Sequence, residues 1–336
     1  MGSHRRSAPS GFDRGVSAAL CVLSAAAALG AGSAVAAPPE ETRAEVDRLY
    51  QEAEQVTEAY NRAGERAGVL RAQVGAAQDR IARQQHRVNT MREAIGALAG
   101  AQYRSGGLDP SLALLFSEDP GEYLDKAATL DRISAHQADE LRDLQGALRE
   151  LSRQRDEAGG KLTELEVSRR AVARHKRTVE RKLAQARRLL NSLAAADRAA
   201  YDRASRGDRP QVPDLGDAVA PGARAAAAVA AVRSAVGKPY MWGASGPHGF
   251  DCSGLMQWSY AQAGVGLPRT SQQQRFVGRQ LPLSEALPGD LVVYRSDASH
   301  VGMYVGNGQV IHAPYPGAPV RYDPVGMMPV TSVTRI

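Results

Sequence analysis

"SHVGMYVGNGQVIHAP", residues 299–314, decides how the C-terminal third of this 336-residue chain folds. Two runs rich in β-branched and apolar residues flank Gly306-Asn307-Gly308, the composition of a tight hairpin turn. With a three-residue loop His312 faces Gly302 across the ladder, and His300 and His312 share one face of the sheet. Diagonal neighbours in such a ladder lie ~7–8 Å apart, near enough for two imidazoles to meet. Gly302 leaves room between them. The same register turns Val301, Met303, Val305, Ile311 and Ala313 to the opposite face, as a core requires. A two-residue turn on Asn307-Gly308 would split the histidines between faces, so the expectation is a three-residue loop.

Upstream, "LPGDLVVYRS" (287–296) reads as a turn followed by a strand, and "DCSGLMQWSYAQAG" (251–264) as a helix ended by Gly264. Asp251 is a natural N-cap, which puts Cys252 in the first helical turn. There the unpaired N–H groups and the helix dipole favour an anion, and so a thiolate. A thiolate nucleophile needs a base. Of the seven histidines only His248, His300 and His312 lie in this region.

The chain has two cysteines. The other, Cys21, falls in an N-terminal stretch with Arg5, Arg6 and Arg14, an apolar run from Val16 to Gly32, and then Ala34-Val35-Ala36. That order is the pattern of a secretory signal peptide, residues 1–36, cleaved after Ala36. The run is shorter than the ~20 residues of a spanning helix. An exported chain left with one cysteine forms no internal disulfide, so Cys252 is a free thiol with a purpose or an intermolecular link. No metal or other cofactor is expected, since one cysteine and two histidines without a nearby acid make a poor zinc set.

Between leader and C-terminal domain, apolar residues repeat at 3–4 spacing from Leu49 through Ala53, Val56, Tyr60, Ala67, Leu70 and Val74 to Leu98. A second register runs from Tyr123 through Leu141, Leu151, Leu162 and Leu165 to Leu193. These are coiled-coil seams. They read as one antiparallel hairpin over residues 40–204, or alternatively as a parallel dimer. Leu112, Leu114, Leu115 and Phe116 form an apolar elbow between the arms, a packing cluster or a docking tip. The stretch 169–188 is strongly basic, a solvated face or an attraction to an anionic surface. Residues 205–222, rich in Pro, Gly and Asp, read as a flexible linker. The domain begins at 223 and runs to 336. A net charge of +6 suits an anionic partner. In an exported protein that means wall polymers or lipid headgroups, not nucleic acid.

"KPYMWGASGPHGFDCSGLMQWSY" (238–260), "LPRTSQQQ" (267–274), "LPGDLVVY", "SHVGMYVGNG" and "VIHAP" together resemble the NlpC-type, or p60-type, cell-wall cysteine peptidases in order, spacing and residue type. The resemblance covers roughly residues 224–330. It implies an α+β papain-like domain, with Cys252 as nucleophile, His300 as base and His312 as the polar group orienting it. It further implies that Tyr240, Asp251 and Ser253 line the site and that Arg269, Ser271 and Gln273 contact substrate. Relatives often have two glycines after the tryptophan, where this chain has Gly243-Ala244. The helical segment is similar to the regulatory segments that precede such domains in exported wall hydrolases. The expected function is a secreted, wall-associated hydrolase that cuts an amide bond in peptidoglycan stem peptides at the D-glutamyl to diamino acid link. Its coiled coil restrains it, and a membrane or envelope activator docks at the elbow. A non-catalytic wall-binding scaffold, or an amidase or acyltransferase on the same fold, are the alternatives.

Overall fold

The computed structural model describes residues 39–104, 120–206, 213, 215 and 219–336. The expected signal peptide with Cys21, the apolar elbow and most of the linker lie outside the described residues.

Helix α1 (Pro39–Arg104) starts with proline, whose missing N–H costs nothing in the first turn, and with Glu40 and Glu41 against the positive end of the dipole. At ~1.5 Å per residue it is a rod of roughly 100 Å. Helix α2 (Pro120–Ser192) returns alongside it. Cross-helix contacts run in opposite directions along the two arms: Lys182 pairs with Glu52, Arg66 with Glu164 (2.7 Å), and Gln84 Nε2 donates to the Ala147 carbonyl (3.0 Å). The hairpin is therefore antiparallel within one chain. Leu49, Ala53, Ala67, Leu70, Val74, Ala77 and Val88 bury against Ala147, Leu151, Ala158, Leu165, Val179, Leu183 and Ala186. Leu141 and Leu162, read from sequence as seam residues, are both 48% exposed. A short helix, α3 (Ala195–Arg206), folds back on the root of the rod, where the Tyr201 hydroxyl donates to Asp47 Oδ1 at 2.9 Å. None of the described helices is long and apolar enough to cross a membrane.

The C-terminal part is α+β, as expected. Helices α4 (Ala223–Ser234) and α5 (Cys252–Gln262) and the single turn α6 (Ser271–Gln274) accompany a six-stranded antiparallel sheet. Its strands are β1 (Arg279–Leu281), β2 (Leu291–Tyr294), β3 (His300–Gly306), β4 (Gln309–His312), β5 (Arg321–Pro324) and β6 (Val330–Arg335), in the order β1-β6-β2-β3-β4-β5. Val229, Val232, Leu255, Met256 and Tyr260 of the helices meet Val301, Met303, Val305, Ile311 and Ala313 of the sheet in one core. Those five sheet residues are the ones the hairpin register assigned to that face.

The turn itself differs from expectation. Gly306 pairs with Gln309, leaving a two-residue turn on Asn307 (φ 46°) and Gly308 (φ 67°). Positive φ at both positions is what such a turn demands of its residues. An irregularity between Tyr304 and Gly306 puts one extra residue into β3. That bulge restores the Met303–Ile311 and Tyr304–Val310 pairing, so the histidines share a face by a different device.

Candidate active site

Asp251 caps α5 in extended conformation (φ −90°, ψ 177°), and its Oδ1 accepts from Gly254 N at 2.7 Å. The same carboxylate accepts two bonds from Arg269, from Nη1 at 2.9 Å and Nη2 at 2.5 Å, and one from Gly243 N at 3.0 Å. The cap is thus held from three directions, and Cys252 is presented at a rigid helix start. Arg269 is spent on this buttress and on Ser253 Oγ (2.9 Å), at 7% exposure. Gln274 supports the same corner by donating to the Ser253 and Pro268 carbonyls, both at 2.9 Å.

Across from the thiol, His300 begins β3 and His312 ends β4. His300 Nε2 and His312 Nδ1 lie 2.7 Å apart with the rings perpendicular. A Cβ on Gly302 would come within 3.2 Å of the His312 Cβ, so glycine is the residue that lets the rings meet. His312 Nε2 in turn lies 2.7 Å from Asp323 Oδ2 on β5. Burial, partly opposed by the bond to Asp323, lowers His312 to about 4, so its ring is neutral at physiological pH. Burial works against ionisation of Asp323 as well, but His312 and Arg321 outweigh it and hold the carboxyl below its ordinary range.

The rod completes the site. Glu54 and Glu58, one turn apart on α1, are 5% and 1% exposed, and both enter the cleft between α5 and the sheet. The Glu54 carboxylate takes His300 Nδ1 and Arg295. Glu58 Oε2 accepts from Ser271 N at 3.0 Å, its Oε1 lies 2.7 Å from Ser253 Oγ, and Cys252 Sγ is 3.9 Å from Oε1. One turn further, Asn61 Nδ2 donates to Asp251 Oδ2 at 3.1 Å. Aromatic contacts flank this row: Tyr50 stacks on Tyr315 and Tyr60 meets Trp242 edge-on, both at 5.2 Å.

These neighbours reverse the electrostatics expected at a helix start. Burial first, then the Glu54 and Glu58 carboxylates, push the Cys252 thiol well above its ordinary value, so in this closed arrangement it is held as a thiol. Burial and the nearby Asp251 raise Glu58 to about 8. Glu54 goes the other way: burial opposes ionisation, but His300 and Arg295 overcome it and lower the carboxyl.

The nine residues singled out from sequence fall as follows. Cys252, His300, His312, Asp251 and Ser253 converge, with Tyr240 buried beside them in the same core. Arg269 and Ser271 are close by, but Arg269 faces Asp251 and Ser271 offers its N–H to Glu58. Gln273 is exposed and turned out of the site, because in the single turn α6 it is the following residue, Gln274, that points inward. Sequence reading missed Glu54, Glu58, Asn61 and Asp323. It also assumed that no acid stood near Cys252, yet donor atoms of Glu54, Cys252 and His300 lie within 4.8 Å of one another. In this arrangement Glu54 is engaged by His300 and by the Arg295 cation, which would oppose a divalent ion there.

A helix-borne thiol facing paired histidines on an antiparallel sheet defines the papain-like α+β class. Within that class, residues 237–333 match the NlpC/P60 family, and the chain carries a domain of that family. A probable endopeptidase of Corynebacterium glutamicum is 45% identical over 123 residues, covering 34% of this chain and 59% of that protein. The probable endopeptidase p60 of Listeria monocytogenes is 48% identical over 97 residues, covering 28% of this chain and 20% of its own length. Among solved structures, the P60 domain of the M. avium subspecies paratuberculosis antigen MAP1204 is 38% identical, covering 34% of this chain and 94% of that one with a TM-score of 0.32. The similarity thus spans between about a fifth and three fifths of these curated relatives' length.

Proposed function

We propose that this chain is an exported, wall-associated peptidoglycan hydrolase that cuts an amide bond of the stem peptide, at the D-glutamyl to diamino acid link, and that its helical hairpin holds it closed. The observation that carries the reading is Cys252 at a capped helix start opposite the His300–His312 pair. In the open enzyme the Cys252 sulfur attacks the scissile carbonyl as its proton passes to His300. His300 then gives that proton to the leaving nitrogen as the C–N bond breaks. Water cleaves the resulting thioester, its proton returning through His300 to the thiol. The Cys252 N–H, at the start of α5, is the donor placed for the oxyanion.

Closure follows from Glu54 and Glu58. They stand in the cleft between α5 and the sheet, Glu54 takes His300 Nδ1, and the ionised Glu54 carboxylate beside the thiol disfavours the thiolate. Release falls to an envelope partner that binds the open form more tightly. It would engage the far end of the hairpin, where Tyr103 and Leu124 stand exposed. The test is digestion of purified wall fragments by the mature chain and by its Glu54→Ala/Glu58→Ala variant, with new termini identified by mass spectrometry. New D-glutamyl carboxyl termini, formed faster by the variant, are expected. Cleavage elsewhere would reassign the bond, no cleavage by either would remove the peptidase reading, and equal rates would remove the restraint.

A further inference from the structure

Three contacts join four groups in a line: Glu54 to His300 Nδ1, His300 Nε2 to His312 Nδ1, and His312 Nε2 to Asp323 Oδ2. Both ends are carboxylates, and each is held ionised by a guanidinium: Arg295 at Glu54, and Arg321, whose Nε donates to Asp323 Oδ2 at 2.8 Å. An ionised carboxylate only accepts. His312 must therefore carry its proton on Nε2, and its Nδ1 is left as a bare acceptor. The middle contact then requires the proton on His300 Nε2. In the closed form His300 donates at both nitrogens, with Glu54 standing where a thiolate would otherwise be its counter-ion.

The left end of this line changes when the rod leaves, and the right end does not. We propose that Asp323 is a positioning residue of the catalytic relay: by accepting the Nε2 proton of His312 it fixes the direction of the bonds back to His300, making Nδ1 of His300 the nitrogen that exchanges a proton with Cys252. This rests on the reading of Cys252 and His300 as the reacting pair. Asp323 reaches His312 on a diagonal, since the residue directly opposite His312 in the ladder is Arg321. Arg321 thus serves to hold Asp323 rather than to touch the imidazole. His312 is only 1% exposed, and together with Asp323 and Arg321 it borders a cavity of about 730 Å³ between the sheet and the root of the rod. Without Asp323, the His312 Nε2 would face that cavity and either tautomer would be allowed. Molecules with the proton on His312 Nδ1 would force His300 to hold its own proton on Nδ1, unable to accept one from the thiol. The loss would appear in kcat and leave KM in place, because Asp323 touches no substrate.

The experiment uses the full mature chain, both with Glu54 and Glu58 intact and with the Glu54→Ala/Glu58→Ala pair, and compares Asp323→Ala, Asp323→Asn and Asp323→Glu. Nitrogen-15 spectra of labelled histidine read the His312 tautomer, and wall-fragment hydrolysis reads kcat and KM against pH. Asp323→Ala is expected to lower kcat roughly 10- to 100-fold, the range typical of removing the outer partner that orients a histidine. The His312 signal should move from a single Nε2–H form to a mixture, and Asp323→Glu should restore most of both. Asp323→Asn preserves shape should the alanine variant fail to fold. Its amide can donate or accept, so it should shift kcat and tautomer in the same direction. A kcat within about twofold of the parent would overturn the proposal. So would a lower kcat with the His312 tautomer unchanged, which would leave Asp323 a purely structural part. If no chain hydrolyses wall fragments, the peptidase reading fails and takes the relay's catalytic role with it, while the spectra still report whether Asp323 sets the tautomer.

Discussion

Near its root the helical hairpin buries Glu54, Thr57, Glu58 and Asn61, whereas toward its far end it leaves Tyr103 86% and Leu124 65% exposed. The usual pattern, apolar inside and polar outside, is inverted at both places. Buried carboxylates are costly unless they are paired or neutralised. Here the cleft supplies the partners: Arg295 and His300 for Glu54, and Ser271 N–H and Ser253 for Glu58. The difference teaches that the root is shaped to fit a polar cleft. The middle of the rod, with Leu70, Val74 and Leu165 buried together, is where the two arms support each other.

The comparison can be broken most severely at the thiol. Cys252→Ala should abolish wall-fragment hydrolysis in the parent and in the Glu54→Ala/Glu58→Ala background alike, with circular dichroism unchanged. Residual turnover above background would remove Cys252 as nucleophile. Next in size, the Glu54→Ala/Glu58→Ala pair alone should raise the rate of the mature chain at least about tenfold, the effect of ~1.4 kcal/mol of closing free energy. The same pair at Leu98 and Leu124, in the exposed far end, should leave the rate alone. Comparable activation from both would mean that closure does not depend on what the root inserts.

A pH dependence sharpens the contrast between the two acids. Glu58 has a pKa of about 8 in the closed form against an ordinary 4.5 once released. Between those values the closed form keeps a proton that the open form has lost, so closure weakens as pH rises through this window and levels off above it. Glu54 is lowered in the closed form, so its contribution is present above the ordinary carboxylate range and is lost only as pH falls through the lowered value. The rate of the mature chain relative to the double variant should therefore climb from about pH 5 to pH 8. Glu58→Gln should flatten that ratio, and a ratio already flat in the parent would argue that Glu58 does not titrate on opening. The smallest effect separates the middle of the rod from its far end. Leu70→Ala should cost about 2–5 kcal/mol against heat or denaturant, while Leu124→Ala should stay within about 0.5 kcal/mol.

Much of the site was legible because strand geometry and cap chemistry are local. Asp251 next to Cys252 announces a helix start, and the alternation around His300 and His312 assigns both to one face. Arg269 was misread as a substrate contact because a basic residue near a site looks the same in sequence whether it meets a ligand or braces a cap. Gln273 was preferred over Gln274 because a single helical turn has no periodicity from which to choose. Glu54, Glu58 and Asn61 lie at i, i+4 and i+7, a clear stripe on one face of α1. Acids on a long helix ordinarily face water, and only the folded chain reveals that this stripe faces a thiol some 194 residues away. Asp323 escaped for a related reason: its partner is a diagonal neighbour on the next strand, and "RYDP" carries no signature of that.

The extra residue in β3 has a consequence for how this protein tolerates changes in length. Loops are where insertions and deletions usually do least harm. The segment from Val305 to Gly308 is such a loop with one residue to spare: after losing one, a two-residue turn can close on a regular ladder in which Met303 still pairs with Ile311 and Tyr304 with Val310. Ile311 would stay on the core face and His312 on the face of His300. A single in-frame codon deletion there should therefore do much less harm than substituting His312 itself.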